Sequence, residues 1–495
     1  MTSGRYLLAI DQGTSSSRSV IYDHDTQVVA SAQQEFPQHY PQPGWVEHNP
    51  EDIWNSVQAV TREAMSAANA SAADISGIGI TNQRETTLIW DRKSGECIYN
   101  AIVWQDRRTA SYCSALKEQG AAISLSRKTG LRLDPYFSAS KIAWLLDNVE
   151  GARKRAENGE LAFGTIDTFI LWRLTGGKVH ATDASNASRT LLFNIHTQEW
   201  DEELFALFNV PRGLLPEVRD CAADFGHSDD LTLGGKVPIL GMAGDQQAAL
   251  IGQGGFKEGM TKSTYGTGCF VIANTGGTAL ESTNQLLTTV ASRFAGEVTY
   301  GLEGSVFVAG SAIQWLRDSL KIIQSAADTE DIARNKGIID DVHVVPAFTG
   351  LGAPYWDPGA RGAIVGLTRG SGRDEIVTAT LQAVAYETRD LIDAMSDDGI
   401  SPNVIRVDGG MVANNWFLQF LADVLNIPVE RPQNVESTVL GAAYLAAYQA
   451  GIINSPKEIA DFWQRDSLFE PSMSDDRRDS LLDGWRSAVA RVRSD

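Results

Sequence analysis

A chain of 495 residues exceeds the roughly 250–300 residues at which a single hydrophobic core stops growing, so two large domains are expected, with a cleft between them as the natural ligand site. Apolar residues at 43% and charged residues at 21% exclude extensive disorder, and a formal charge of −20 gives long-range attraction to nucleic acid or anionic lipid the wrong sign. No apolar run approaches the ~20 residues of a membrane span or resembles a signal-peptide core, and the four cysteines (Cys97, Cys113, Cys221, Cys269) form no CxxC pair, which points to a cytoplasmic chain with no zinc site or disulfide framework.

In chain order, an apolar strand over 6–10 runs into the polar turn Asp11-Gln12-Gly13-Thr14-Ser15-Ser16-Ser17-Arg18 and out through a strand over 19–23. A second apolar strand, 78–80, ends on Gln83-Arg84-Glu85. A third, 237–240, precedes the small-residue turn 241–247 and a helix from about Ala248. Gly-Gln-Gly-Gly at 252–255 reads as a hinge, which divides the chain into domains 1–252 and 253–495. Beyond it, 262–264 leads into Tyr265-Gly266-Thr267-Gly268 and out through 269–274, again strand, Gly-Thr turn, strand. A strand over 404–407, Gly409-Gly410 and a helix over 413–425 follow, and the charge-rich tail carries a helical pattern read as a surface helix. Strands alternate with helices in both halves, so the fold class is α/β with mixed sheets, and the repeated hairpin suggests two domains on related plans.

The 11–18 loop has the makings of a phosphate cradle. Gly13 would let the backbone approach, the hydroxyls and amides would donate, and Asp11 could hold hydrated Mg²⁺. A polar hairpin turn with Asp11 as turn former explains the same residues. It is not a Walker A loop, because no GKS or GKT is present and a strand follows it. Gln83-Arg84-Glu85 could be a solvated ion pair, although strand ends in α/β sheets face the ligand crevice. Asp245, before a helix, could be an N-cap or a general base.

Several ordered segments carry a resemblance: the 11–18 loop, Gly44 to His48, Ile80 to Thr86, Val103 to Arg108, Asp134 to Ser138, Gly244 to Gln247, Tyr265 to Gly268 and Phe348 to Asp357. Over about residues 5–465 the chain resembles the FGGY carbohydrate kinases of the actin/hexokinase-like superfamily, and most closely their glycerol-phosphorylating members. The resemblance implies two actin-like, ribonuclease H-like domains with the active site in the cleft, and transfer of the γ-phosphoryl group of ATP to glycerol with Mg²⁺. It implies that Asp245 is the catalytic base. It also implies a glycerol site of Arg84, Glu85, Tyr136, Asp245 and Gln246, with Trp104 and Phe270 as apolar wall. Thr14, Ser15, Ser16, Arg18 and Thr267 would contact the phosphates, and Gly310, Gln314, Gly410 and Asn414 the α-phosphate, ribose and adenine. Asp11 and Asp245 would hold Mg²⁺ through water.

A kinase for another polyol or a ketose such as xylulose, or an actin-like ATPase switch, remain alternatives. The family's habit is to form homodimers or homotetramers. Gly234-Gly235-Lys236-Val237 lacks the arginine of the family's fructose 1,6-bisphosphate loop, and Ala222-Ala223-Asp224-Phe225-Gly226 lacks its phosphorylated histidine, so neither control is expected.

Overall fold

The computed structural model describes residues 4–494. Each half is built on one mixed sheet whose central strand starts a hairpin. In the first sheet Tyr6–Gln12 is central, antiparallel to Ser16–Asp23, which pairs in turn with Val28–Glu35. On its other side Ile75–Asn82 and then Ile239–Gly244 run parallel to it. The second sheet repeats this order: Thr261–Tyr265 is antiparallel to Cys269–Gly276, then Glu297–Val306, and on the other side parallel to Ile405–Asp408 and Val429–Pro432. Leu287–Phe294 and Arg465–Phe469 add an edge strand at each end, making seven strands against five.

The two faces of the first sheet follow from the alternation in Ile75–Asn82, ISGIGITN. Its isoleucines, Ile78 and Ile80, pack in one cluster with Ile53, Val57 and Val60 of the helix Pro50–Ala67. That helix starts cleanly, with Pro50 in its first turn and the Asn49 side chain accepting from the Glu51 N–H. The glycines open the other face to Ser437–Gln449, a helix from the far end of the chain. A Cβ at Gly79 would lie 1.9 Å from the Ala442 carbonyl oxygen, and one at Gly241 2.8 Å from the Ala446 nitrogen. The same helix crosses Asp245–Gly252 at equally close range, since a Cβ at Gly441 would meet the Ala248 oxygen at 1.9 Å. Helix and sheet therefore touch backbone to backbone, and a second-half helix seals the first-half core.

Three boundaries differ from the sequence reading. The strands of the first hairpin extend to Gln12 and from Ser16, which narrows the loop to Gly13, Thr14 and Ser15. The small residues 241–244 continue the strand instead of turning, because they lie against Ser437–Gln449, so the helix begins at Asp245 and its N-cap is Gly244. The tail helix Asp475–Ala490 is not a mere surface helix. Its Leu481, Leu482, Trp485 and Val489 are buried in the main core of the second half, and Trp485 stacks on Tyr386 at 5.4 Å.

Gly441→Ala is expected to destabilise the protein by about 1–3 kcal/mol or more, because the added methyl meets backbone that cannot rotate away. A urea unfolding midpoint equal to that of the native chain would contradict this packing.

Candidate active site

The turn after Ile75–Asn82 and the start of Asp245–Gly252 lie side by side, because their strands are parallel neighbours that end at the same level. Arg84, 2% exposed, forms an ion pair with Asp245, its Nε 3.0 Å from Oδ1 but not aligned as a hydrogen bond, while Asp245 remains 32% exposed and its Oδ1 accepts from the Gln246 N–H at 2.7 Å. Both ends of the Arg84 fork are occupied: Nη1 donates to Glu303 Oε2 at 2.5 Å and to Gln247 Oε1 at 3.2 Å, and Nη2 donates to Glu303 Oε1 at 3.1 Å. Arg189 closes the ring by donating to Glu303 Oε1 at 2.9 Å and to Glu85 Oε1 at 2.6 Å. Two guanidinium and two carboxylate groups thus balance in a buried cluster, and the Asp245 carboxylate stays turned toward solvent.

The electrostatics follow from this pairing. Burial alone would raise the Glu303 carboxyl, but Arg189 and Arg84 outweigh it and hold it down at about 2. Burial likewise opposes the charge of Arg84, yet Glu303, Glu85 and Asp245 together hold the guanidinium well above its ordinary value. Glu85 adopts φ 60, a conformation that costs a non-glycine residue about 1 kcal/mol or more, and its bond to Arg189 fixes it there.

The apolar wall assembles from three places. Trp104 packs edge-on to Tyr136 with ring centroids 5.6 Å apart and to Phe270 at 6.3 Å. Tyr136 comes from the turn before the helix Ser138–Asn148, where buried Lys141 donates to its carbonyl at 2.6 Å. Phe270 belongs to the second hairpin, so the wall spans both halves. Trp104 also donates its indole N–H to Thr14 Oγ1 at 2.9 Å, tying the wall to the first hairpin loop. Gln246 accepts from Lys262 Nζ, another contact between halves.

In that loop Gly13 donates to the Ser16 carbonyl at 2.9 Å, and Ser15 is exposed. Ser16 Oγ accepts from Gln33 at 3.0 Å, whereas Ser17 turns inward to Ser56, 2.8 Å away. Arg18 is ion-paired with Glu436, beside the start of Ser437–Gln449. Burial first, and the Asp245 charge second, push the Asp11 carboxyl up to about 7.

The second hairpin turn is surrounded by glycines. A Cβ at Gly310, the first residue of the helix Gly310–Asp318, would lie 2.5 Å from the Gly266 oxygen. Gly409, at φ 92, would bring one to 2.5 Å from the Tyr265 oxygen. Thr267, Gln314 and Gly410 are exposed around this turn. Asn414 precedes the helix Asn415–Leu425, and its side chain caps that helix by accepting from the Phe417 N–H at 2.9 Å and donates to Thr329 at 3.2 Å.

These hairpins and this cluster can be set beside known proteins. The N-terminal domain of the FGGY family of carbohydrate kinases matches residues 6–252, and its C-terminal domain matches 261–450. The chain belongs to the FGGY family of carbohydrate kinases. This FGGY kinase is 61% identical over 492 residues to a glycerol kinase of Ectopseudomonas mendocina, with 99% of each chain covered. It is 60% identical over 490 residues to glycerol kinase 1 of Pseudomonas aeruginosa, again with 99% of each covered. The crystal structure of Plasmodium falciparum glycerol kinase with ADP superposes with a TM-score of 0.91 at 37% identity, covering 98% of both chains. A xylulose kinase from Lactobacillus acidophilus shares the fold, with a TM-score of 0.87 at 23% identity over 98% of this chain and 97% of that one.

Three charged residues that no motif marks complete the FGGY kinase's cluster: Arg189, Lys262 and Glu303. Glu303 sits inside the strand Glu297–Val306, where an acid among Leu302, Gly304 and Ser305 is the one sequence sign of a buried partner.

The pH dependence of stability has a fixed sign here. A carboxyl held near 2 contributes stability that is fully present above the ordinary glutamate value and is lost as pH falls toward 2. Glu303→Gln is therefore expected to cost about 3–5 kcal/mol at pH 7, and the gap from the native chain should narrow between pH 5 and pH 3 in urea unfolding. A gap that stays constant or widens on acidification would contradict the pairing.

Proposed function

We propose that this chain transfers the γ-phosphoryl group of ATP to a primary hydroxyl of glycerol, giving sn-glycerol 3-phosphate and ADP, with Asp245 as general base. The observation that carries this reading is the Asp245 carboxylate. It is partly exposed, ion-paired with a buried arginine, and we place it beside an apolar wall of Trp104 and Phe270, with Tyr136 packed on Trp104, that suits the C–H edge of a small triol. The similarity to glycerol kinases over the whole chain supports the same substrate.

In the proposed step the attacking hydroxyl oxygen forms a bond to the γ-phosphorus as the bond to the β–γ bridging oxygen breaks. Its proton passes to an Asp245 oxygen, and ADP leaves with the bridging oxygen. Arg84, Glu85, Tyr136, Asp245 and Gln246 would hold the glycerol hydroxyls. Thr14, Ser15, Ser16, Arg18 and Thr267 would contact the phosphates, while Gly310, Gln314, Gly410 and Asn414 would line the α-phosphate, ribose and adenine. Gly310 and Gly409 let the start of Gly310–Asp318 and the 409–410 turn pack backbone to backbone against the second hairpin turn, which fixes the wall that the nucleoside would meet. The Trp104 to Thr14 bond links the glycerol wall to the phosphate loop, so the acceptor and the phosphoryl group would be registered by one side chain.

Asp11 and Asp245 fit a divalent cation. Burial first and the Asp245 charge second raise the Asp11 carboxyl, and a hydrated cation between the two carboxylates would relieve that repulsion. When bound, Mg²⁺ would neutralise phosphate oxygens and so lower the charge that the alcohol must approach. With no helix among the described residues long and apolar enough to cross a membrane, and its four cysteines unpaired, we place the enzyme in the cytoplasm.

Asp245→Asn keeps the shape of the side chain but cannot accept the proton. A fall in kcat of about 10²- to 10⁴-fold is expected, with the KM for ATP little changed and the unfolding midpoint preserved. Near-normal turnover by the folded variant would remove the proposed base. Glycerol should exceed D-xylulose in kcat/KM, and the reverse order would transfer the assignment to a pentulose kinase.

A further inference from the structure

We infer that Glu303 is a positioning residue for phosphoryl transfer: a carboxylate from the second half of the chain that fixes Arg84 of the first half, and through Arg84 sets both the acceptor pocket and Asp245. The inference rests on the glycerol kinase reading above and extends it to a residue that does not itself touch the reactants. Glu303 is 1% exposed, and both of its oxygens are spent on guanidinium groups. Oε2 accepts from Arg84 Nη1 at 2.5 Å, while Oε1 accepts from Arg84 Nη2 at 3.1 Å and from Arg189 Nη2 at 2.9 Å.

The geometry leaves Arg84 one free direction. With Nη1 and Nη2 held by Glu303 and Nη1 also held by Gln247, the planar fork is fixed with its Nε side nearest Asp245, an ion pair at 3.0 Å without hydrogen-bond alignment. Rotation about the last bonds of the side chain would break three charge-assisted bonds at once. The second guanidinium does the same for Glu85, because Arg189 is anchored on Glu303 through Nη2 and donates to Glu85 through Nε. One carboxylate therefore sets two neighbouring residues of the acceptor site.

The direction of the strut matters. Glu303 lies on Glu297–Val306 of the second sheet, 219 residues from Arg84 in sequence, while Arg84, Glu85 and Arg189 all belong to the first half. Lys262, on the first strand of the second sheet, grips the Gln246 carbonyl oxygen in the same manner. Since lysine only donates, this leaves the Gln246 amide N–H₂ as the group facing outward. The acceptor pocket thus has its reacting groups on one half and their supports on the other, so it is complete only while the two halves keep this contact. The second half, by this account, does more than carry nucleotide.

The test is steady-state kinetics of Glu303→Gln, with the native enzyme and Asp245→Asn beside it. The expected result is a fall of about 100-fold in kcat/KM for glycerol, shared between a higher KM and a lower kcat, with the KM for ATP and the affinity for ADP within twofold of native. Native kinetics in the variant, or an equal loss toward glycerol and ATP, would overturn the proposal. Absence of glycerol turnover in the native enzyme would instead remove the function on which it rests.

If the single variant does not fold, Glu303→Gln combined with Arg189→Gln keeps the buried charge balanced. That pair is expected to regain stability without regaining the glycerol KM. Recovery of both together would show Glu303 to be a structural partner only.

Discussion

Everything at the cleft depends on a charge that is expensive to bury. A guanidinium withdrawn from water costs several kcal/mol unless a carboxylate meets it in good geometry, and here the carboxylate that meets Arg84 arrives from the other half of the chain. The consequence runs outward. With both oxygens of Glu303 on Arg84 and Arg189, and Glu85 on Arg189, Asp245 adds only one more ion pair to Arg84 and keeps part of its carboxylate in solvent.

The same economy of contact appears in the scaffold. The proposed role of Asp245 demands placement within a fraction of an ångström, and the strand that leads to it is held by backbone packing on one face and isoleucine packing on the other. Glycines at 79, 241 and 441 let helix, strand and helix come closer than any side chain would allow. Such contacts do not slide easily, so the end of Ile239–Gly244 is a firm mount for Asp245. In the second half, glycines serve another end: at 310 and 409 they draw the second hairpin turn tight against its neighbours.

Much of this was legible in the residues. The paired Gly-Thr hairpins announced two related domains, and the motifs at 11–18, 83–85 and 244–247 marked the strand ends that face the cleft. Local rules failed where distant contacts decide. The residues 241–244 look like a turn because glycine and alanine usually loosen a chain, but a helix two hundred residues later needs that space. Trp485 and its neighbours look like a sparse surface pattern until the long helix Arg373–Asp397 is there to receive them. Glu303 carries no motif at all, since its meaning lies in an arginine 219 positions away. Asn414 was legible as polar and well placed, and its helix-capping bond to Phe417 is an ordinary use of asparagine ahead of a helix.

The helix Ser437–Gln449 gives the chain an order of assembly that its domain map conceals. Severing the polypeptide at the hinge would yield an N-terminal fragment with one face of its sheet stripped bare, its glycines opening onto water. The fragment's partner would carry an apolar helix with nothing to cover. Neither piece is an autonomous module. During synthesis the first half must therefore wait, incompletely clad, until nearly the whole chain has left the ribosome, and that interval is when exposed strands are most vulnerable to association with other chains.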